Sequence, residues 1–287
     1  MNEIKIGQVA AVVVTYNRLE LLKKVVVGLR NQTKKLDQII VVNNSSTDGT
    51  LKWLNMQEDI ITITQENTGS SGGQFTGAKT AFEMDFEWIW QMDDDVVANF
   101  DCLENLLLHC RADLVCVPLR ITTDNNISYH DIKKINITNP VKNIWKSIPN
   151  IDDFQNEIIP IEGFTFEGPI FHRNVLEKIG FADKKFFIYA DDTEYSIRAL
   201  KQKIKACIIK KAVLKRQLPF PENAHKFDWK TYYIVRNLIA IDVLYGNFIV
   251  RWLRPFGYTL AWLLRGKNFT DIKTVLKAFK DGYFYKS

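Results

Sequence analysis

The sequence predicts an α/β fold: a mostly parallel, doubly wound sheet flanked by helices and followed by a helical extension. Three observations carry that expectation. Val9–Val14 is an unbroken apolar run rich in β-branched residues, as expected of a strand buried on both faces of a parallel sheet. Strand-like and helix-like patterns then alternate as βαβαβ as far as Thr64, and a right-handed crossover is the economical topology for that order. Each of these strands runs into a polar loop, and a fourth ends in three adjacent carboxylates.

In chain order, Leu19–Arg30 reads as a helix with Leu22, Val25, Val26 and Leu29 on one face. Asp37–Val42 is a second buried strand, Thr50–Met56 opens a second helix, and Ile60–Thr64 is a third strand. The glycine-containing loop Glu66–Gly73 precedes a helix over roughly Gln74–Met84, and Phe86–Met92 is the fourth strand. A helix over Leu103–Cys110 and a strand over Asp113–Leu119 follow. Residues 120–160 carry Pro140, Pro149 and Pro160 and read as short strands and loops covering a site. A helix near Asn174–Ile179 stops at Gly180. A further helix opens with Asp191, Asp192 and Glu194, and Ile204–Val213 is another strand. The proline-containing link Leu218–Glu222 divides a domain of residues 1–220 from a helical, basic and aromatic region, 221–287. In that region Trp229–Leu244 and Phe248–Leu264 are the expected helices.

The chain of 287 residues is 46% hydrophobic and 25% charged, which is ordinary for a globular protein and argues against long disordered segments. The net charge of +5 is uneven, with Lys and Arg concentrated in 201–216 and 251–286. Cys102, Cys110, Cys116 and Cys207 show no CxxC spacing, so buried free thiols in a reducing compartment fit better than disulfides or zinc. The first residues lack the regions of a signal peptide, and no uncharged apolar run approaches the ~18 residues of a spanning helix. A cytoplasmic location is expected. Phe248–Leu264, mixing Phe, Trp and Leu with Arg251, Arg254 and Arg265, suits a helix lying in a membrane interface on the inner face of the plasma membrane; ordinary core packing suits it as well. Nucleic acid is not an expected partner, and an oligomer is compatible with the composition.

In doubly wound sheets, ligands bind beyond the carboxyl ends of the strands. The loops there are Thr15-Tyr16-Asn17-Arg18, Asn43 to Thr50 and Asn67 to Gly73, rich in hydroxyl and amide groups suited to a base and ribose. Ser46-Thr47-Asp48-Gly49 also has the makings of a plain turn and helix cap. Asp93, Asp94 and Asp95 follow the apolar Trp88–Met92. Carboxylates so crowded repel unless a cation sits among them, and hard oxygen ligands suit Mg2+ or Mn2+.

These motifs, in this order, resemble the inverting family-2 glycosyltransferases. The marks are Val12-Val13-Val14-Thr15-Tyr16-Asn17-Arg18, Asn43-Asn44-Ser45-Ser46-Thr47-Asp48-Gly49, Asn67-Thr68-Gly69-Ser70-Ser71-Gly72-Gly73, the triplet, and Asp191-Asp192-Thr193-Glu194-Tyr195. The glycine loop, the full triplet and Asp228 to Asn237 look most like the galactofuranosyl- and rhamnosyltransferase branch. The resemblance implies a GT-A fold, that is, a Rossmann-like, mostly parallel mixed sheet flanked by helices. It implies a UDP- or dTDP-sugar donor and, as acceptor, a hydroxyl of a bacterial polysaccharide or lipid-linked glycan. Asp93 and Asp95 would hold Mn2+ or Mg2+ against the donor diphosphate, with Asp93 and Asp94 at the donor. Thr15, Tyr16, Asn17, Arg18, Asn43, Asn44 and Asp48 would meet base and ribose, with Asn67, Gly72 and Gly73 nearby. Asp192 would be the base that deprotonates the acceptor, and Asp191 would be the second candidate for that role or would orient the acceptor.

The sequence departs from the family twice. Asn43 stands where an acid is usual, and Ala212 to Gln217 offers Lys215 and Arg216 where a metal-binding His is usual, leaving His225 as the nearest histidine. Two other functions compete. A nucleotidyltransferase would want a basic glycine-rich loop after the first strand, which Thr15–Arg18 is not. A non-catalytic glycan-binding module on the same fold would not need both the triplet and Asp192.

Overall fold

The computed structural model describes residues 7–127, 133–147, 155–219 and 227–286. It contains a nine-stranded mixed sheet in the order β3-β2-β1-β4-β10-β6-β11-β5, with β9 added alongside β11. The first half is the predicted βαβαβ unit. Strands β1 (Val9–Thr15), β2 (Gln38–Asn43), β3 (Ile60–Thr64) and β4 (Trp88–Asp93) are all parallel, with β1 between β2 and β4. Every residue of β1 is buried, which explains its lack of polar alternation. Helices α1 (Leu19–Arg30), α2 (Thr50–Leu54) and α3 (Gly69–Glu83) are the crossovers.

The second half is mixed. After β5 (Val96–Ala98) and α4 (Cys102–Leu107) come β6 (Leu114–Ile121), a small separate hairpin of β7 (Lys133–Ile135) with β8 (Trp145–Ser147), and β9 (Ile158–Ile161). Strand β10 (Ile170–His172) then inserts antiparallel between β4 and β6. Helices α5 (Arg173–Ile179) and α6 (Asp191–Lys201) precede β11 (Lys205–Arg216), which runs parallel to β6 and antiparallel to β5 and β9.

Besides the short strands β5 and β10, which no sequence expectation named, three features differ from that expectation. Helix α3 starts at Gly69, so Gly72 and Gly73 lie inside it and not in a preceding loop. A Cβ on Gly73 would stand 2.3 Å from the Val14 side chain, and one on Gly77 2.2 Å from Val12. These glycines let α3 lie close on β1. Strand β11 extends to Arg216, three residues beyond the apolar run, because its pairing with β5 continues there. The C-terminal region has three helices, α7 (Thr231–Tyr245), α8 (Phe248–Leu263) and α9 (Phe269–Tyr283), of which the last was not singled out.

Two apolar layers sandwich the sheet, and a third cluster, containing Phe186, Ile197, Val235, Ile239 and Val275, fastens α7 and α9 to the sheet through α6. The buried Asp242–Arg254 ion pair joins α7 to α8, and Arg254 also donates to the carbonyls of Asn136 and Lys142 at 2.8 and 3.2 Å. Cys102, Cys116 and Cys207 are buried free thiols and Cys110 is partly buried. Among the described residues, no helix is long and apolar enough to cross a membrane. His225 lies outside the described residues.

Candidate active site

The carboxyl ends of β1, β2, β4, β6 and β11 open onto one cavity of about 810 Å3. The triplet lies on one side of it. Asp94 is committed to the β1 loop: its Oδ2 accepts the Thr15 hydroxyl at 2.7 Å, and its Oδ1 accepts Arg18 Nη1 at 3.0 Å. The same Nη1 reaches Asp95 Oδ2 at 2.9 Å. Asp93 accepts Gln74 Nε2 at 3.2 Å. Asp93 and Asp95 retain the oxygens that face the cavity, and Asp95 Oδ1 is buried without a hydrogen-bond partner.

Glu167 completes this group. Each of Asp93, Asp95 and Glu167 offers an oxygen within 4.8 Å of the other two. Its position follows from the sheet: Gly168 N donates to Gln91 O at 2.9 Å, Trp90 Nε1 donates to Gly168 O at 2.8 Å, and Gln91 N donates to Pro169 O at 3.0 Å. The chain before β10 is thereby hydrogen-bonded to β4 just ahead of the acids. Gly168 has φ +97°, and a Cβ there would stand 2.2 Å from Leu214, so the tight entry requires glycine. Arg216 Nη1 donates to both Glu167 oxygens at 2.6 and 2.7 Å, and Arg120 pairs with the same carboxylate. Burial pushes the Glu167 carboxyl up, but the two guanidiniums outweigh it and hold it below the ordinary range. Burial, Asp95 and Glu167 hold the Asp93 carboxyl well above it. Hard carboxylate oxygens, one of them orphaned, fit a divalent cation of the Mg2+ or Mn2+ type.

Of the two basic residues at the end of β11, Arg216 faces the cavity, whereas the preceding Lys215 points away to Asn125 Oδ1 at 2.8 Å. Glu167 and Arg120 were not singled out from sequence. A usable signal existed, since two arginines at the ends of neighbouring strands require a counter-charge.

Asp191 and Asp192 begin α6 and line the same cavity. Burial, then Asp192, pushes the Asp191 carboxyl up to about 8, and its Oδ2 is buried without a hydrogen-bond partner. Asp192 Oδ1 accepts the Thr193 amide at 2.6 Å, and Trp145 Nε1 donates to Thr193 Oγ1 at 3.0 Å. Glu194 turns away from the cavity to Arg198 and the Tyr245 hydroxyl, tying α6 to α7. The loop ahead of Asp191 is strained: Phe187, Tyr189 and Ala190 have φ of +64°, +72° and +60°. Left-handed non-glycine residues cost on the order of 1 kcal/mol or more each.

The other predicted residues divide into two sets. Thr15, Tyr16, Arg18, Asn44 and Asn67 line the cavity together with Gly69 and Ser70 at the start of α3. Asn17, Asn43, Asp48, Gly72 and Gly73 do not line it. Asn17 locks the first loop to the second: its Oδ1 accepts Thr47 N at 2.7 Å, and its backbone N–H donates to Ser46 Oγ at 2.9 Å. Asp48 accepts Leu19 N and the Thr50 hydroxyl, so it serves the starts of α1 and α2. Asn43 is fully buried, with Oδ1 on Ser46 N at 3.0 Å. Gly72 and Gly73 are buried in α3 for packing.

Known proteins share this architecture. The glycosyl transferase family 2 model matches residues 10–180. Galactofuranosyltransferase GlfT1 of Mycolicibacterium smegmatis is 24% identical over 207 residues, covering 67% of this chain and 65% of that protein. The Mycobacterium tuberculosis protein of the same name is 27% identical over 209 residues, covering 67% and 64%. The match thus spans just under two thirds of those relatives' own length. Among solved structures, GalNAc-T7 with UDP, GalNAc and Mn2+ has a TM-score of 0.69 at 11% identity, covering 98% of this chain and 56% of that one. The Pyrobaculum calidifontis mannosyltransferase PcManGT with GDP-Man and Mn2+ has a TM-score of 0.57 at 14% identity, covering 99% and 89%. S. aureus TarS with UDP has a TM-score of 0.60 at 14% identity, covering 96% and 80%. These likenesses carry the GT-A fold, and with more than half of its length matched by the family model, the chain belongs to glycosyl transferase family 2.

Proposed function

We propose that the protein is an inverting glycosyltransferase. It moves a sugar of the galactofuranose, galactose or rhamnose type from a UDP- or dTDP-sugar to a hydroxyl of a bacterial polysaccharide or lipid-linked glycan. One observation carries the reading: Asp93, Asp95 and Glu167 share a single cavity with Asp191 and Asp192. Mn2+ or Mg2+, held by Asp93, Asp95 and Glu167, would supply positive charge against the leaving diphosphate. Thr15, Tyr16, Arg18, Asn44 and Asn67 bind the nucleotide end, with Gly69 and Ser70 at the start of α3. Arg120 and Arg216 keep Glu167 ionised. Of the two α6 acids that line the cavity, burial and the neighbouring Asp192 hold the Asp191 carboxyl above the ordinary range, and Asp192, hydrogen-bonded by the Thr193 amide, acts as the base toward the acceptor hydroxyl. Gln74 holds Asp93, and Thr193 holds Asp192.

The reading is tested by a screen of nucleotide sugars with Mn2+ and glycan acceptors, scored by released diphosphate, alongside thermal shift with UDP and dTDP. Turnover with wild type and none with Asp192→Asn is expected. No release from any UDP- or dTDP-sugar, together with no thermal shift, refutes it.

The same reading places the enzyme at the cytoplasmic face of the plasma membrane. Phe248, Trp252, Phe256 and Leu260 along α8, and Leu264 just past its end, repeat at helical spacing and are each more than half exposed, with the exposed Arg251 beside them. Sedimentation with anionic but not neutral vesicles supports that contact, and failure to sediment with either removes it.

A further inference from the structure

The Asp228 to Asn237 stretch marks a family branch in the sequence, yet only Trp229 and Lys230 reach the cavity. Its other polar groups face elsewhere. Asn237 is fully buried on α7, and its Nδ2 lies 3.0, 2.9 and 2.7 Å from the carbonyls of Phe186, Ile188 and Tyr189. Arg236 donates through Nη2 to the carbonyls of Lys185 and Phe186 at 2.6 and 2.9 Å, and through Nε to Asn237 Oδ1 at 2.8 Å. One turn earlier on the same face, Tyr233 stacks on Phe187 with ring centroids 4.8 Å apart.

The contacts to residues 185–189 fall on the segment with three left-handed non-glycine residues that leads directly into Asp191. Such a backbone persists only when its surroundings over-determine it. The opposite wall is α3: Ser71 N donates to Phe187 O at 3.1 Å, and a Cβ on Gly69 would stand 2.0 Å from that oxygen. The residue that caps α6, Ala190, has no side chain able to accept a hydrogen bond from the first turn. The backbone that delivers Asp191 to the cavity is thus set largely by what holds the loop ahead of it.

We propose that Asn237, buttressed by Arg236, is a positioning residue whose bonds to the Phe186, Ile188 and Tyr189 carbonyls aim Asp191 and Asp192 into the cavity. The inference rests on the glycosyltransferase reading for its catalytic consequence, but not for the holding of the loop. The test compares full-length wild type, Asn237→Asp, Arg236→Ala and Leu238→Ala. Asp is nearly isosteric and removes both amide protons. Leu238 is a buried neighbour on α7 outside the site and reports plain loss of packing.

Asn237→Asp is expected to lower kcat at least tenfold, with donor KM and UDP–Mn2+ affinity within threefold of wild type. Arg236→Ala is expected to shift in the same direction by less. Leu238→Ala is expected to lower the melting temperature yet keep kcat within threefold when assayed well below it. Hydrogen exchange at amides 187–192 should rise in Asn237→Asp and not in Leu238→Ala. Unchanged turnover in both α7 polar variants, or turnover falling only in step with melting temperature as in Leu238→Ala, overturns the proposal. Should wild type itself show no transfer, the functional reading fails. The exchange measurement then decides alone, and unchanged exchange in Asn237→Asp overturns the holding role.

Discussion

Replacing Glu167 by Gln removes one carboxylate charge and leaves the side-chain shape nearly intact. In the wild-type protein that carboxylate faces Asp93 and Asp95 on one side and two buried guanidiniums on the other, with the Arg120 side chain 2% exposed and Arg216 11%. The substitution acts on both. One unit charge at ion-pair distance is worth on the order of 4 kcal/mol at an effective dielectric near 20. The cavity is open to water and the amide oxygen remains, so about half of that is a working figure. Mn2+ affinity should then fall about thirtyfold, or roughly 2 kcal/mol. The guanidiniums lose their shared counter-ion, and breaking a buried pair from one side typically costs about 3–5 kcal/mol. Titration of Mn2+ by electron paramagnetic resonance, without donor, measures the first effect, and thermal denaturation in a chelator measures the second. If Glu167→Gln binds Mn2+ within threefold of wild type while Asp93→Asn loses it, Glu167 is a clamp for the arginines and not a metal ligand.

Three further outcomes are expected. The Asp191 carboxyl is raised to about 8, so its contribution to stability is present below its unfolded value near 4 and is lost as pH rises through about 8. In metal-free buffer, Asp191→Asn should therefore lose less melting temperature between pH 5 and 8 than wild type, and equal slopes would contradict the assignment. Asp242→Asn strips the buried Arg254 of its counter-ion and should cost about 3–5 kcal/mol in urea unfolding, whereas changing both residues to apolar ones should cost much less. Gly73→Ala forces a Cβ to 2.3 Å from Val14 and should destabilise by about 1–3 kcal/mol, with UDP affinity falling because α3 carries Gly69 and Ser70 at the cavity. Unaltered stability in that variant would show that α3 can shift freely.

What the chain declares by itself is whatever repeats locally. The β-branched Val9–Val14, the βαβαβ alternation, the helical spacing of Phe248–Leu264 and the order of five motifs all lie within short windows. Burial on two faces or on one leaves a periodicity that any window can detect. The acids at 93–95 and 191–192 were legible because each follows an apolar run at a strand or helix boundary. Tertiary structure decided what depends on distance through space. Glu167 reaches Asp93 and Asp95 only because β10 inserts antiparallel beside β4, a pairing that no local pattern encodes. Gly72 and Gly73 looked like part of a phosphate loop, yet the closeness of α3 to β1 turned them into packing residues. Asp48 looked like a ribose ligand, but the adjacency of two loops gave both its oxygens to helix starts. Asn237 stood out only as part of the Asp228 to Asn237 stretch, and its three carbonyl partners lie on a strained loop some fifty residues away in sequence. In each case the residue type was suited to either fate, and the neighbour across the fold chose between them.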